Sequence, residues 1–333
     1  MERINLNYLP NPDLIKRLYK KYYLEDKQEN FTSSYWKLYG QKYDVRINEG
    51  DGTLSMSGVG EGELGDTKTK NLLTKLLNYL CIFTYLVRLK NKRGILNLFT
   101  PSFKICKSMG FYFSYNCFRQ ICSLALILKN MSDGMKARKK TFLMVGDGYG
   151  FLSSLIKSIF PNSTIVLVDI GRILTIQSIY CQKTHPQCLH FGVDENSNLK
   201  TADFLYCPPG HLEKFNILNY DIVINIASMQ EMDYQIIERY FHYFRQYCNA
   251  ENLFYCCNRE SKKLPDEKVV EFQKYPWSKK DKYLIDERCP WQKYFLSIHH
   301  TSHGPRPFGF RIPLINYVKG PVRHRLTILS TLR

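Results

Sequence analysis

The sequence predicts an α/β protein with a Rossmann-like core: a mostly parallel sheet of seven strands, helices on both faces, and a helical N-terminal region ahead of it. Three observations carry this expectation. From residue 141 onward, short apolar runs rich in β-branched residues alternate with segments of helical periodicity, the pattern of a parallel sheet covered on both sides. The first run, Phe142-Leu-Met-Val145, passes directly into Gly146-Asp-Gly148-Tyr-Gly150. The second, Ile165-Val-Leu-Val168, ends on Asp169, nineteen residues after Gly150. A glycine turn after one strand and an acid after the next is how an open α/β sheet builds a site for a nucleoside cofactor.

The elements follow in order. Residues 1–135 read as mainly helical and irregular. Asp13-Leu-Ile-Lys-Arg-Leu-Tyr-Lys-Lys-Tyr-Tyr23 spaces its apolar residues as a helix does. Residues 49–66 hold Gly50, Gly52, Gly58, Gly60, Gly62 and Gly65 and read as a mobile loop, a connector or a lid. Helices are expected at 68–91 and 115–130. The apolar run 76–87 is shorter than the roughly 20 residues needed to cross a bilayer and reads as a buried helix. The basic pentad 136–140 reads as a solvated entry to the second unit, 136–333. There, strands are expected at 141–145, 164–168, 204–207, 220–226 and 252–257, and helices at 149–160, 172–183 and 233–248. Pro161 stops the first of these helices, and Pro208-Pro209 end the third strand. A basic insert is expected at 259–290, with 294–299 and 323–329 as the last two strands.

Composition narrows the class. With 333 residues and 44% apolar residues the chain can form a full core. Eleven cysteines without a C-x-x-C pair, several inside apolar runs, read as buried, reduced thiols of a cytoplasmic protein. The first residues are polar and show no secretory h-region. The net charge of +17 is uneven: residues 1–140 carry 24 Lys and Arg against 12 Asp and Glu, residues 141–258 carry 7 against 11, and residues 259–333 carry 16 against 7. Acidic cofactor region and basic flanks suit an anionic acceptor, such as a nucleotide-linked or lipid-phosphate-linked sugar, or an anionic membrane face. No RNA-recognition or helix-turn-helix signature supports a nucleic-acid partner.

Ligands of such a sheet bind beyond the carboxyl ends of its strands, so the candidate residues are those that follow each strand. Gly146, Asp147, Gly148, Gly150, Asp169, Ile170 and Asn225 are expected at the cofactor. The third glycine falls two residues after the second, and the position a dinucleotide fingerprint reserves for it holds Phe151; the turn is closer to one for S-adenosylmethionine (SAM) than to one for a nicotinamide. Asp169 has a second reading as a helix cap. Gln230 and Glu231 follow the fourth strand. Ser228-x-x-Glu231 also fits a capping box, but a carboxylate here is placed to take a proton from an acceptor. Asn258 and Arg259 after the fifth strand are expected to bind acceptor oxygens, and His324 is a second candidate base. His299-His300-Thr-Ser-His303 matches no zinc spacing, and no metal is expected.

The arrangement resembles the class I SAM-dependent methyltransferases, and more specifically the sugar O-methyltransferase family of bacterial glycan gene clusters. Gly146-Asp-Gly-Tyr-Gly150, Asp221-Ile-Val-Ile-Asn225-Ile-Ala-Ser228-Met-Gln230-Glu231-Met232, Phe254-Tyr-Cys-Cys-Asn258-Arg259 and Lys319-Gly-Pro-Val-Arg-His324-Arg-Leu carry the resemblance, across roughly residues 136–333. It implies transfer of a methyl group from SAM to a sugar hydroxyl in cell-surface polysaccharide or glycolipid synthesis, beneath a helical N-terminal region. Many class I enzymes place an acid two residues before the first glycine; Met144 stands there, with Asp147 the nearest acid. Two rivals follow from the same residues: a nicotinamide-dependent sugar oxidoreductase or epimerase, and a non-catalytic scaffold of the same fold.

Overall fold

In the N-terminal part of the chain, side-chain caps mark the starts of five of the seven described α-helices. The computed structural model describes residues 2–25, 33–40, 44–48, 52–57, 71–195, 199–216, 218–298 and 303–332. β1 (Glu2–Asn5) is followed by α1 (Pro12–Tyr19), capped by the Asn11 side chain and extended by a π-helical turn, Lys20–Glu25. Ser33 caps α2 (Ser34–Tyr39). β2 (Asp44–Asn48) and β3 (Thr53–Ser57) pair antiparallel, and β1 joins the free edge of β3. The helices α3 (Leu72–Arg88), α4 (Lys92–Leu96), α5 (Phe99–Ser108), α6 (Tyr115–Asn130) and α7 (Asp133–Ala137) complete this part. Asn71, Ser114 and Ser132 cap α3, α6 and α7, each accepting from backbone N–H groups of the first turn.

The three-stranded sheet is an unexpected addition to a region whose other described elements are mainly helices. Its strands are four or five residues long, too short for their alternation to stand out beside the glycines. Gly52, with φ +65°, turns the chain into β3; the other glycines of the 49–66 loop lie outside the described residues, as do His299 and His300.

The second part is the expected α/β core. β4 (Thr141–Val145), α8 (Phe151–Ile159), β5 (Thr164–Val168), α9 (Gly171–Thr184), β6 (His190–Gly192), β7 (Phe204–Cys207), β8 (Tyr220–Ile226), α10 (Tyr234–Tyr247) and β9 (Cys248–Arg259) come first. The hairpin β10 (Ser261–Lys263) with β11 (Val269–Glu271), then β12 (Lys282–Arg288), β13 (Tyr294–Leu296), β14 (Ile315–Tyr317) and β15 (Val322–Ile328) follow. Among the described residues the main sheet has eight strands in the order β12-β15-β9-β8-β4-β5-β7-β6. β4 to β9 run parallel; β15 runs antiparallel to β9, and β12 antiparallel to β15. From β4 the chain progresses one way through β5 and β7, then returns to β8 and progresses the other way to β9. Right-handed crossovers therefore put α8 and α9 on one face and α10 on the other. The fold is Rossmann-like, and its switch point lies between β4 and β8.

Two strands of the main sheet were not expected, and one strand expected there lies elsewhere. Residues 294–296 pair with β14 in a separate hairpin rather than in the main sheet. Their place is taken by β12, inside the expected basic insert 259–290. Its sequence, KYLIDER, is half-exposed edge strand, and Asp286 is held by Arg323 (2.5 Å) and Arg325 (2.7 Å) of β15; charge pairing across strands, not apolar alternation, defines it. β6 has three residues and ends in glycine. Within the pentad 136–140, Lys140 is buried, its ammonium donating to the carbonyls of Lys136 (2.9 Å) and Arg138 (2.8 Å), and Arg138 pairs with buried Asp221 (2.5 Å). All eleven cysteines are free, and ten are buried.

The N-terminal part is clasped onto the core. A Cβ on Gly171 would overlap the Tyr22 carbonyl, so this glycine lets the chain cross the first turn of α9. Asn11 N–H donates to Gln182 Oε1 (2.8 Å), and Gln182 Nε2 donates back to Asn11 O (3.2 Å). At the other end of the core, Arg245 of α10 donates to both oxygens of buried Asp281 (2.7 and 2.8 Å), and to the carbonyls of Ser330 and Pro276. This fork joins helix, insert and C-terminal segment. Replacing Arg245 alone strands a buried carboxylate, so Arg245→Met should lower the unfolding free energy by about 3–5 kcal/mol. The double variant Arg245→Met/Asp281→Leu should recover part of that loss in urea unfolding.

Candidate active site

β4 ends because Gly146 takes φ +74°, a conformation costly for any residue with a Cβ. A Cβ there would also overlap the Cβ and Oγ of Ser228. Gly146 N–H donates to Val168 O (3.0 Å), which ties the turn to β5. Gly148 and Gly150 follow at φ +59° and +97°. Gly146, Asp147 and Gly148 line a crevice at the carboxyl ends of β4, β5 and β8, whereas Gly150 does not. Gly150 caps α8 and packs against α9, where a Cβ would come to 3.2 Å from Cys181 Sγ.

Two carboxylates share this end of the crevice. Asp147 Oδ2 accepts from Ser153 N–H (2.9 Å) in the first turn of α8. Asp169 Oδ1 accepts from Ile170 N–H (2.9 Å) and Oδ2 from Gln177 Nε2 (2.9 Å). The same Gln177 amide donates to Gly148 O (3.1 Å), which joins the acid to the glycine turn. Burial pushes each carboxyl up to about 7, against the opposing pull of these hydrogen bonds. Ile170 lines the crevice beside Asp169.

Beyond β8 the chain is held by a relay of amides. Asn225 Nδ2 donates to Val145 O (2.9 Å) and Ser228 Oγ (2.6 Å); its Oδ1 accepts from Met229 N–H (3.2 Å) and Asn258 Nδ2 (2.8 Å). Asn258 Oδ1 accepts from Gln230 N–H (3.1 Å), and Gln230 Oε1 accepts from Arg259 N–H (2.7 Å). Asn225 and Asn258 are fully buried and do not line the crevice. They tie the strand ends together and do not reach the crevice wall, which does not support the expected contacts of Asn225 with cofactor and Asn258 with acceptor. Gln230, Glu231 and Arg259 do line it. The capping box is not formed, because Ser228 Oγ donates to Val145 O (3.1 Å) and makes no cap. Glu231 instead meets Lys262 Nζ at 2.6 Å.

His324 lies elsewhere. It is buried in β15, with Nδ1 3.2 Å from Tyr255 Oη and Nε2 3.4 Å from Glu287, edge-on to Trp291. Burial holds its pKa below the ordinary histidine value. It does not line the crevice, so its place as a base is not supported.

The facing wall comes from residues the sequence reading missed. Tyr35 and Trp36 of α2 line the crevice, as do Asn116, Arg119 and Gln120 of α6 and Gln292. Lys262 Nζ sits 3.7 Å from the Tyr35 ring centroid. Arg119 Nη1 donates to Gln292 Oε1 (2.8 Å), and the other Nη bonds Asn116. Its Nε and Gln120 Oε1 are buried with no protein partner. Among the described residues no carboxylate pairs with Arg119 or Arg259. One signal was available for Arg119: it is the only charge in the first three turns of its helix. The crevice holds about 280 Å³, the scale of a small-molecule site.

No family model matches the sequence, and no curated protein matches it. Solved structures resemble parts of the fold. The cyclopropane synthase MmaA2 from Mycobacterium tuberculosis is 14% identical over 36% of this chain and 36% of its own, with a TM-score of 0.27. Coclaurine N-methyltransferase, bound to N-methylheliamine and S-adenosylhomocysteine, is 12% identical over 51% of this chain and 50% of its own, at 0.34. A candidate O-methyltransferase from Klebsiella pneumoniae is 10% identical over 78% of this chain and all of its own, at 0.37. The chain thus spans between a third and a half of the first two proteins.

The raised carboxyl pKa values have a consequence for stability. An acid that titrates near 7 when folded and near about 3.9 when unfolded keeps its proton longer in the fold. Its contribution is therefore most favourable below the unfolded value, declines as pH rises toward 7, and is flat above. Asp147→Asn should remove about 1–2 kcal/mol of the fall in stability between pH 5 and 8, allowing for the partial exposure of the carboxylate; urea unfolding at the two pH values measures it.

Proposed function

We propose that the protein is a SAM-dependent O-methyltransferase whose acceptor is a sugar hydroxyl on a molecule that carries an anionic group. The observation that carries the reading is the convergence of a glycine turn, a strand-end acid and a carboxylate–lysine pair on one crevice at the switch point of the sheet. The residues fit the cofactor. Asp169 stands at the end of the second strand of the core, where a carboxylate accepts from ribose hydroxyls. Ile170, Ile173 and Tyr240 give an apolar slot for a purine. Asp147 and Asp169 supply negative charge for a cationic ligand, and Asp147 stands in for the acid missing at Met144. When bound, SAM supplies an electrophilic methyl group on a sulfonium.

The chain's own groups do the rest. Lys262 keeps Glu231 in ion-pair contact, and this carboxylate takes the proton of the acceptor hydroxyl. Gln230 is fixed by Arg259 N–H and orients its neighbour. Asn116, Gln120 and Gln292 offer amide groups to a polyhydroxylated ring, and Arg119 and Arg259 offer guanidinium donors to a phosphate or carboxylate. Such an acceptor is a nucleotide-linked or lipid-phosphate-linked sugar. Residues 1–135, through α2 and α6, form the acceptor-binding cover over the unit 136–333. The eleven free thiols suit a cytoplasmic setting.

Calorimetry should show S-adenosylhomocysteine binding and no NADH binding. Asp169→Asn should weaken that binding about 10–100-fold, the loss of one charged hydrogen-bonding group. Glu231→Gln should bind as tightly as wild type and turn over nucleotide sugars about 10²–10⁴-fold more slowly, scored by S-adenosylhomocysteine release. Binding of NADH, or of neither ligand, would return the choice to the oxidoreductase or the scaffold.

A further inference from the structure

The helix α3 has two faces. Leu77, Cys81, Ile82 and Tyr85 point into the protein and are buried. The opposite face corrects the expectation of a buried helix. Leu72, Leu76, Leu80, Phe83 and Val87, at intervals of four, four, three and four, are 79%, 61%, 49%, 62% and 54% exposed. An ordinary solvated helix face is polar, and a stripe of this kind marks a surface that meets something apolar. Leu96 and Phe103, on the two helices that follow, are exposed as well.

The stretch of chain that carries the stripe has charge of one sign. Between Asp66 and Asp133 the chain has eleven Lys and Arg and no Asp or Glu. Lys90, Lys92, Arg93, Lys104 and Lys107 are all exposed. No described helix is long and apolar enough to cross a membrane. At 1.5 Å per residue the 17 residues of α3 reach about 25 Å, short of the ~30 Å hydrocarbon core, and one face is already committed to the protein. A helix so built lies in the interface, apolar face toward the acyl chains and basic residues toward the headgroups.

We propose that α3 lays the protein on an anionic phospholipid bilayer. The charge pattern selects this occupant. A second copy of the chain would bring two acid-free cationic layers together, and a nucleic acid would leave the apolar stripe in water. An anionic bilayer satisfies both features. The proposal stands whether or not the crevice transfers methyl groups.

Sedimentation of the full chain with vesicles tests it. At low salt, vesicles of phosphatidylcholine with phosphatidylglycerol should carry down about tenfold more protein than phosphatidylcholine alone, and high salt should reduce this. Leu76→Glu/Phe83→Glu should abolish the enrichment with an unchanged melting temperature. Lys90→Glu/Lys92→Glu, outside the helix, should reduce it and serves if the first variant does not fold. Wild-type protein that stays in the supernatant with both vesicles overturns the proposal. So does equal binding by folded variants, or a wild-type dimer that the Leu76/Phe83 variant splits while no vesicle binding is seen.

Discussion

The geometry of the crevice depends on two buried asparagines. Asn225 and Asn258 use their amides to join the ends of β4, β8 and β9, with the chain after β8 folded back across them. Each bond replaces one that water made in the unfolded chain, so the net gain per bond is only about 1 kcal/mol. The penalty for removing one partner is larger, because the remaining amides are left buried without water. The network therefore specifies one arrangement more than it adds stability. It also explains two local oddities. Ala227 adopts φ +62°, unusual for a residue with a Cβ, while its N–H donates to Cys257 O at 2.8 Å. Ser228 is drawn so close to the first turn that residue 146 has to be glycine. Strain at one residue and a steric exclusion at another are both consequences of closing the relay.

What the relay presents is a divided crevice. Asp147 and Asp169 sit on the side of the glycine turn, and burial makes their ionised forms costly until a cationic or hydroxyl-bearing ligand meets them. Among the described residues Arg119 and Arg259 have no carboxylate partner, and Glu231 and Lys262, paired with each other, line the same crevice. The N-terminal part is not an appendage to this arrangement. The close crossing of Tyr22 over Gly171, the Asn11–Gln182 pair and the approach of Tyr35 to Lys262 hold it against the core. Tyr115 extends the connection, its hydroxyl donating to Trp291 O at 2.6 Å.

The core strands were legible because each is an apolar run with a marked end: β4, β5, β7 and β8 match their expected ranges, and each stops at a glycine, an acid, a proline pair or the Ala227 turn. The limits of the three core helices moved by one or two residues, as local end geometry decides them. The edge strand β12 was illegible because ion pairs rather than alternation hold it. At the site, residues next in sequence to a strand end were readable: eight of the twelve candidates line the crevice. Asn225 and Asn258 were placed at the right strand ends but assigned to ligands, because sequence shows position and not where an amide points. Arg119, Tyr35 and Lys262 arrive from distant segments, and only folding brings them to the crevice.

The run from Thr67 to Ser132, free of acids, has a single physical explanation if both proposals hold. The layer α3–α6 has two working surfaces. Its inner side brings Arg119 to the crevice, and its outer side exposes the apolar stripe of α3. An acid on the inner side would pair with Arg119 and remove its donors from an anionic acceptor; an acid on the outer side would repel anionic headgroups. The two surfaces are also joined mechanically: Asn78 of α3 accepts from Tyr115 N–H (3.0 Å), at the start of the helix that carries Arg119 one turn later. A bilayer contact on the outer face would thus press on the element that lines the acceptor side. A lipid-phosphate-linked sugar would meet cationic groups at the membrane and in the crevice alike, which places both proposals on one path for the acceptor.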